Sequence, residues 1–257
     1  MRHFNAGCLA LSLLLVALPG CTSRGNASSP LSSKVYGAQI VDVSGGKQVV
    51  GVGSKLPDPV VVQVNGADGN ALPGALVSFR GSGIVFNPTE ALTDASGQAS
   101  VAVQLGAIPG SYQVVAETPK SGANPRETAS VHMNAIALGY QEKLGKEVSD
   151  RYCRACHDPE STPERVSNLD NLTPPLPHQF TDGNTLNNMS DADLLKIIAD
   201  GGPALGKSPQ TPAYRNTLTQ AQIKAVVAYI RAVADPPYQA PGINTDPQHL
   251  HSPESPR

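Results

Sequence analysis

Cys153-Arg154-Ala155-Cys156-His157 places two thiols three residues apart with an imidazole directly after the second. On a helix, thiols at that spacing lie close to one turn apart. They can add to the two vinyl groups on one edge of a porphyrin, while the adjacent histidine projects a ring nitrogen to the iron from the same turn. The pattern C-x-x-C-H is that of covalent haem attachment, with Cys153 and Cys156 as the attachment points and His157 as the metal ligand. Three alternatives compete with it. Zinc needs about four ligands, and no further cysteine follows. A redox dithiol of the thioredoxin kind would sit after a strand in a βαβ unit, whereas these flanks read as helical. A chance match to five letters is the third.

The elements that must position these residues are three helices. Leu144, Val148 and Tyr152 stack at i, i+4 and i+8 ahead of the cysteines. Ser190 opens a second helix as N-cap with Asp193 at the third position. Leu194, Leu195, Ile197 and Ile198 form its apolar face, and Gly201-Gly202 ends it. Thr219 with Gln222 predicts a capping box on the third. There Ile223, Val226, Val227, Ile230 and Val233 repeat at helical spacing until Asp235-Pro236-Pro237 stops the run.

GKEVSDRYCRACH (145–157), MSDADLLKIIADGG (189–202) and LTQAQIKAVVAYIRAV (218–233) each resemble the corresponding stretch of a class I cytochrome c. The resemblance runs from about Leu138 to Ala234. It implies one covalently attached haem c, with His157 as proximal ligand. It also implies that Gly145 lets the first and last helices cross closely, with Tyr229 as the aromatic against that crossing. In this family a proline carbonyl accepts the Nδ1–H of the proximal histidine, which directs attention to Pro174, Pro175 and Pro177. Members usually supply the sixth iron ligand from a methionine before a proline in the last inter-helix loop. Here Thr211 stands in that place, ahead of Pro212-Ala213-Tyr214. A threonine hydroxyl is a poor ligand for haem iron, so Met189, His178 or an open sixth position are the alternatives.

Residues 34–137 have a different texture. VVVQV (60–64), ALVSF (75–79), ASVAVQL (99–105), SYQVVAE (111–117) and TASVHMNA (128–135) alternate β-branched or small apolar residues with polar ones. Turn clusters at Asn65-Gly66, Asp68-Gly69-Asn70, Asp94 to Gly97 and Pro109-Gly110 separate them. Such spacing predicts an antiparallel sandwich. GNALPGALVSF (69–79) and TDASGQASVAVQLGAIPGSYQVVAET (93–118) resemble the bacterial Ig-like domain of the invasin/intimin type, modules that act as spacers or adhesive stalks. His132 is isolated in a strand and Met133 follows it; neither belongs to a chemical cluster.

At the amino terminus, Arg2 and His3 precede an apolar run from Leu9 to Leu18. The run is too short for a membrane span and has the shape of a signal peptide's apolar region. Leu18-Pro19-Gly20-Cys21 resembles a bacterial lipobox. That resemblance implies removal of residues 1–20, Cys8 included, and lipidation of Cys21. Thr22 in place of aspartate resembles outer-membrane sorting. Residues 21–33 read as a flexible tether. The tail, 236–257, is proline-rich without apolar periodicity; its His249 and His251 have metal-binding chemistry, but the composition reads as disorder.

The 257 residues carry a net charge of −2, with 40% hydrophobic and 16% charged residues. That balance argues against a nucleic-acid partner, which requires a basic face. The 24 glycines and 23 prolines favour short strands and loops. The expectation is a multi-domain chain: an all-β Ig-like sandwich (34–137), an all-α cytochrome c domain (138–235), a leader and a tail. Its function would be single-electron transfer between redox proteins of the cell envelope, from a lipid anchor on the periplasmic side or at the cell surface. No substrate pocket or acid/base pair is legible, so a carrier rather than a catalyst is expected. Alternatives are a haem ligand sensor or weak peroxidase with an open iron site, and an adhesive or structural stalk.

Overall fold

The fold was read from a computed structural model, which describes residues 35–120, 127–158 and 174–240. The leader, Cys21, the tether, and His249 and His251 lie outside the described residues. Among those described, the chain runs through β1 (Gln39–Ser44), β2 (Val49–Gly51), β3 (Val60–Asn65), β4 (Leu76–Arg80) and β5 (Val85–Asn87). It continues through β6 (Glu90–Leu92), β7 (Gln98–Gln104), β8 (Gly110–Pro119) and β9 (Thr128–Leu138). Helices α1 (Tyr140–Tyr152), α2 (Gly183–Leu186), α3 (Asp191–Asp200) and α4 (Gln220–Val233) come next, with a 3-10 turn at Gly202–Leu205.

Period-two alternation builds the β part. Val60, Val62 and Val64 of β3 point inward, as do Ala99, Val101 and Val103 of β7, while their neighbours face outward. The strands form two sheets, ordered β1-β3-β7-β5 and β2-β9-β8-β4-β6. Pairing is antiparallel except for β2, which lies parallel to β9. Val77, Phe79, Val114, Ala116 and Met133 complete the core between the sheets. The predicted sandwich is therefore present, and His132 is an exposed strand residue.

Turn chemistry sets the register. Oδ1 of Asp94 accepts the backbone N–H groups of Ser96 (2.8 Å) and Gln98 (3.0 Å). Gly97 then takes φ +73°, a conformation that disfavours any side chain. The Tyr112 hydroxyl donates to the Ile108 carbonyl four residues upstream (2.8 Å), closing the loop into β8.

In the helical part the expected caps form. The Ser190 hydroxyl accepts the Asp193 N–H, and Thr219 and Gln222 make the reciprocal capping box. The five apolar residues picked out on α4 are all buried; Ile223, Val226, Val227 and Ile230 pack with Val148, Leu186, Leu194 and Leu218, and Val233 packs in a second cluster. Each such side chain contributes on the order of 1.5–3 kcal/mol through burial. A Cβ at Gly145 would run into the Ala225 carbonyl and the Tyr229 side chain. The crossing of α1 and α4 thus needs glycine there. The one-turn α2 and the 3-10 turn escaped the sequence reading, as did the strands β1, β2, β5 and β6.

A single residue, Gly139, separates β9 from α1. The sandwich and the helices form one compact unit. A small apolar cluster bridges them, with Val49 of β2 and Leu138 of β9 packed against Tyr229 and Val233 of α4.

Candidate functional site

Helix α1 ends at the cysteines. Cys153 is its C-cap, donating its N–H to the Ser149 carbonyl (2.8 Å). The backbone then makes one further turn, in which the N–H groups of Cys156 (3.0 Å) and His157 (2.9 Å) both donate to the Cys153 carbonyl. That turn brings the two thiols and the imidazole together. Both cysteines are free and half-buried. Burial pushes the Cys153 thiol up to about 11, the neighbouring Cys156 adds to the rise, and the Ser149 side chain opposes it.

The His157 ring is held from two sides. Its Nδ1 lies 2.5 Å from the carbonyl oxygen of His178. A carbonyl can only accept, so Nδ1 carries the proton and Nε2 the lone pair. The ring also stacks on Phe180, with centroids 4.4 Å apart and planes inclined by 24°. Phe180 in turn meets Tyr229 edge-on at 6.2 Å.

Residues 178–187 are fixed by the segment after α4. Asp235 donates its N–H to the Thr181 carbonyl (2.9 Å) and accepts from Gly183 (3.1 Å), while the Asn187 amide donates to the Pro236 carbonyl (2.9 Å). Asp182 caps α2 through Thr185 and also meets Nδ1 of His178 at 2.9 Å. The expected proline acceptor is corrected by this geometry. The acceptor for His157 is the carbonyl of His178, immediately after Pro177, while Pro174 and Pro175 are exposed.

The loop after α3 closes the site. The Thr211 carbonyl accepts the N–H of Gly202 (3.1 Å), and Tyr214 donates its N–H to the Ile198 carbonyl (3.0 Å). The Tyr214 hydroxyl donates to the Tyr152 carbonyl (2.9 Å), and the two rings meet edge-on at 6.0 Å. Burial raises the Tyr214 hydroxyl above its ordinary value, and the adjacent Cys153 and Cys156 raise it further. This loop thus lies against the attachment turn.

Residues 142–234 match the family model for cytochrome c. This part of the chain is a cytochrome c domain. Such a domain carries covalently attached haem c. The donor set fits that group: two thiols on one turn, and an imidazole whose tautomer leaves the lone pair on Nε2. Among the described residues, no group of three or more His, Cys, Asp or Glu gathers to hold a metal ion, so zinc finds no ligand set there. The C-x-x-C turn follows a helix rather than a strand, which also disfavours a thioredoxin-like dithiol.

The chain is also similar to solved structures of adhesin domains, over its N-terminal part. The D00-D0 domain of intimin is 19% identical, with 43% of this chain and 51% of that one covered and a TM-score of 0.29. The D0-D1 domain of intimin is 20% identical, covering 42% and 51%, with a TM-score of 0.31. The Yersinia pseudotuberculosis adhesin InvE is 14% identical, covering 38% and 31%, with a TM-score of 0.28. The chain spans about half the length of the intimin structures and about a third of the adhesin. No curated protein sequence matches it.

The sixth-ligand candidates fall apart spatially. Met189 packs against the helical core, and its carbonyl accepts from Arg231 (2.5 Å). His178 stands behind the proximal ring, its carbonyl on Nδ1 of His157 and its own ring against Asp182.

Proposed function

We propose that the chain is an exported, lipid-anchored c-type cytochrome that carries single electrons between redox proteins of the cell envelope, with the sandwich as its spacer. In this reading Cys153 and Cys156 hold one haem through thioethers, Nε2 of His157 ligates the iron, and Cys21 bears the lipid. When bound, the haem supplies a one-electron iron couple. The residues of this chain hold it, orient its proximal ligand and shield one side from water. The observation that carries the reading is the His157 ring, fixed by the His178 carbonyl at 2.5 Å directly after two thiols on one turn, within a cytochrome c domain. Export is supported by the leader and by the extracytoplasmic site of covalent haem attachment in bacteria. No helix among the described residues is long and apolar enough to cross a membrane. Replacing Cys21 by serine is expected to move the protein from the membrane to the soluble fraction.

A second reading is favoured by the placement of the ligand candidates. Thr211 stands where the family's methionine is expected, Met189 is tied into the core, and His178 lies on the proximal side. An iron with an open sixth position binds CO, NO or peroxide, which suits a sensor or weak peroxidase. Visible spectra of the ferric and ferrous protein, with and without CO, separate the two. A low-spin spectrum indifferent to CO supports the carrier, whereas a high-spin spectrum shifted by CO supports the sensor. Absence of haem c from cells competent in its attachment overturns both. A stalk role predicts instead that the sandwich surface binds a partner irrespective of haem.

A further inference from the structure

We propose that the β-sandwich is part of the haem site, and that Val49 and Leu138 act as positioning residues for the proximal ligand. The proposal rests on the haem-binding reading of Cys153, Cys156 and His157. Leu138 is the last residue of β9 and is 1% exposed; Val49, on the parallel neighbour β2, is 9% exposed. Both belong to one buried cluster with Tyr229 and Val233 of α4. Phe180 packs on this same cluster, meets Tyr229 edge-on, and is stacked on the His157 ring. A continuous run of packed side chains thus leads from the sheet to the proximal imidazole: Val49 and Leu138, then Tyr229, then Phe180, then His157.

The joint is stiff at the backbone as well. Val52 donates its N–H to the Leu138 carbonyl (3.0 Å), Ile136 donates to the Gln48 carbonyl (2.9 Å), and one residue after β9 the helix α1 begins. The Gln48 side chain is buried, with its amide donating to the carbonyls of Gly45 and Asp58. The edge of the sheet that meets α4 is therefore well defined. Close-packed interiors transmit a lost methyl group to their neighbours. A void at Leu138 or Val49 would slacken Tyr229 and Phe180 and admit water to the proximal side. Greater polarity there favours the ferric state, which carries one more positive charge.

The test uses the full-length, haem-loaded protein carrying Leu138→Ala, Val49→Ala, Leu138→Met or Val62→Ala. Val62 is fully buried in the sandwich core among other residues, so its truncation controls for stability alone. Leu138→Ala is expected to raise the oxidised-to-reduced ratio at a fixed ambient potential by about threefold or more. It is also expected to shift the hyperfine-shifted His157 ring-proton resonances in the NMR spectrum of the ferric protein, with Leu138→Met restoring both. Val49→Ala should change both readouts in the same direction, and it decides the matter if Leu138→Ala does not fold. Val62→Ala should lower thermal stability without moving either readout. The proposal is overturned if Val49→Ala and folded Leu138→Ala match the wild type in both. It is also overturned if Val62→Ala moves them equally. A wild-type chain without haem c overturns the underlying functional reading, an outcome distinct from a loaded protein with unmoved readouts.

Discussion

Nη1 of Arg231, on the last helix, donates to the carbonyl oxygen of Leu186 at the end of α2 (2.8 Å). The same guanidinium reaches the Met189 carbonyl (2.5 Å) and the Asp191 carboxylate (2.9 Å), and its plane lies over Tyr238. One planar fork thus joins α2, the start of α3 and the residues after α4. Arg231→Ala leaves two inward carbonyls without this donor, and a loss of about 2–3 kcal/mol is expected in urea unfolding. Arg231→Lys is expected to recover less than half of it, because an ammonium cannot span the three acceptors. Full recovery by lysine would contradict the fork.

Gly145→Ala tests the helix crossing. The added methyl gains helix propensity by about 1 kcal/mol, but it runs into the Ala225 carbonyl and the Tyr229 side chain. Overpacking of this kind costs about 1–3 kcal/mol. The variant should therefore melt at a lower temperature than the wild type. A higher melting temperature would mean that α1 and α4 separate readily.

Met189→Leu and His178→Gln are expected to leave the ferric and ferrous spectra unchanged. The first keeps the volume packed against the helical core and should alter stability by less than about 1.5 kcal/mol. The second retains the backbone carbonyl that contacts His157. Loss of a low-spin band in either variant would identify that side chain as a sixth ligand.

Acid sensitivity should have a component from the Asp94 turn. Hydrogen bonds from the Ser96 side chain, and then from the N–H groups of Gln98 and Ser96, hold its carboxyl below the ordinary value of 3.8. A depressed folded value means that the stabilisation is present above 3.8 and is lost as pH falls through the folded value. In a urea series from about pH 6 down to about pH 2, the wild type should lose more stability than Asp94→Asn, whose amide does not titrate. Parallel curves would show that the turn does not depend on the charge.

Local patterns in the sequence foretold much of this structure. The valine alternation of β3 and β7 and the caps at Ser190 and Thr219 depend on side chains only a few residues apart, whereas the close crossing at Gly145, which meets Ala225 and Tyr229, is legible only through the family resemblance. The C-x-x-C-H string identified candidate haem-binding residues because its spacing is itself the chemistry. The features that escaped prediction depend on backbone groups or on distant partners. The acceptor for His157 is a main-chain oxygen, which has no signature of its own in the residue types. Helix α2 is a single turn, too short to show a period, and it is held by its own cap Asp182 and by Arg231 and Asp235 from the distant end of α4. The contact of Val49 and Leu138 with α4 joins residues about 90 or more positions apart, and neither position differs in type from any other strand valine or leucine.

The one-residue joint at Gly139 has a consequence for motion in solution. Two domains on a flexible hinge would reorient independently, and relaxation measurements would return a separate correlation time for each. With β9 passing directly into α1 and the Val49–Leu138 cluster gripping α4, sheet and helices should share one rotational diffusion tensor. The attachment turn at Cys153 to His157 then keeps a constant bearing relative to the strands, so any freedom to reorient it must come from outside this unit.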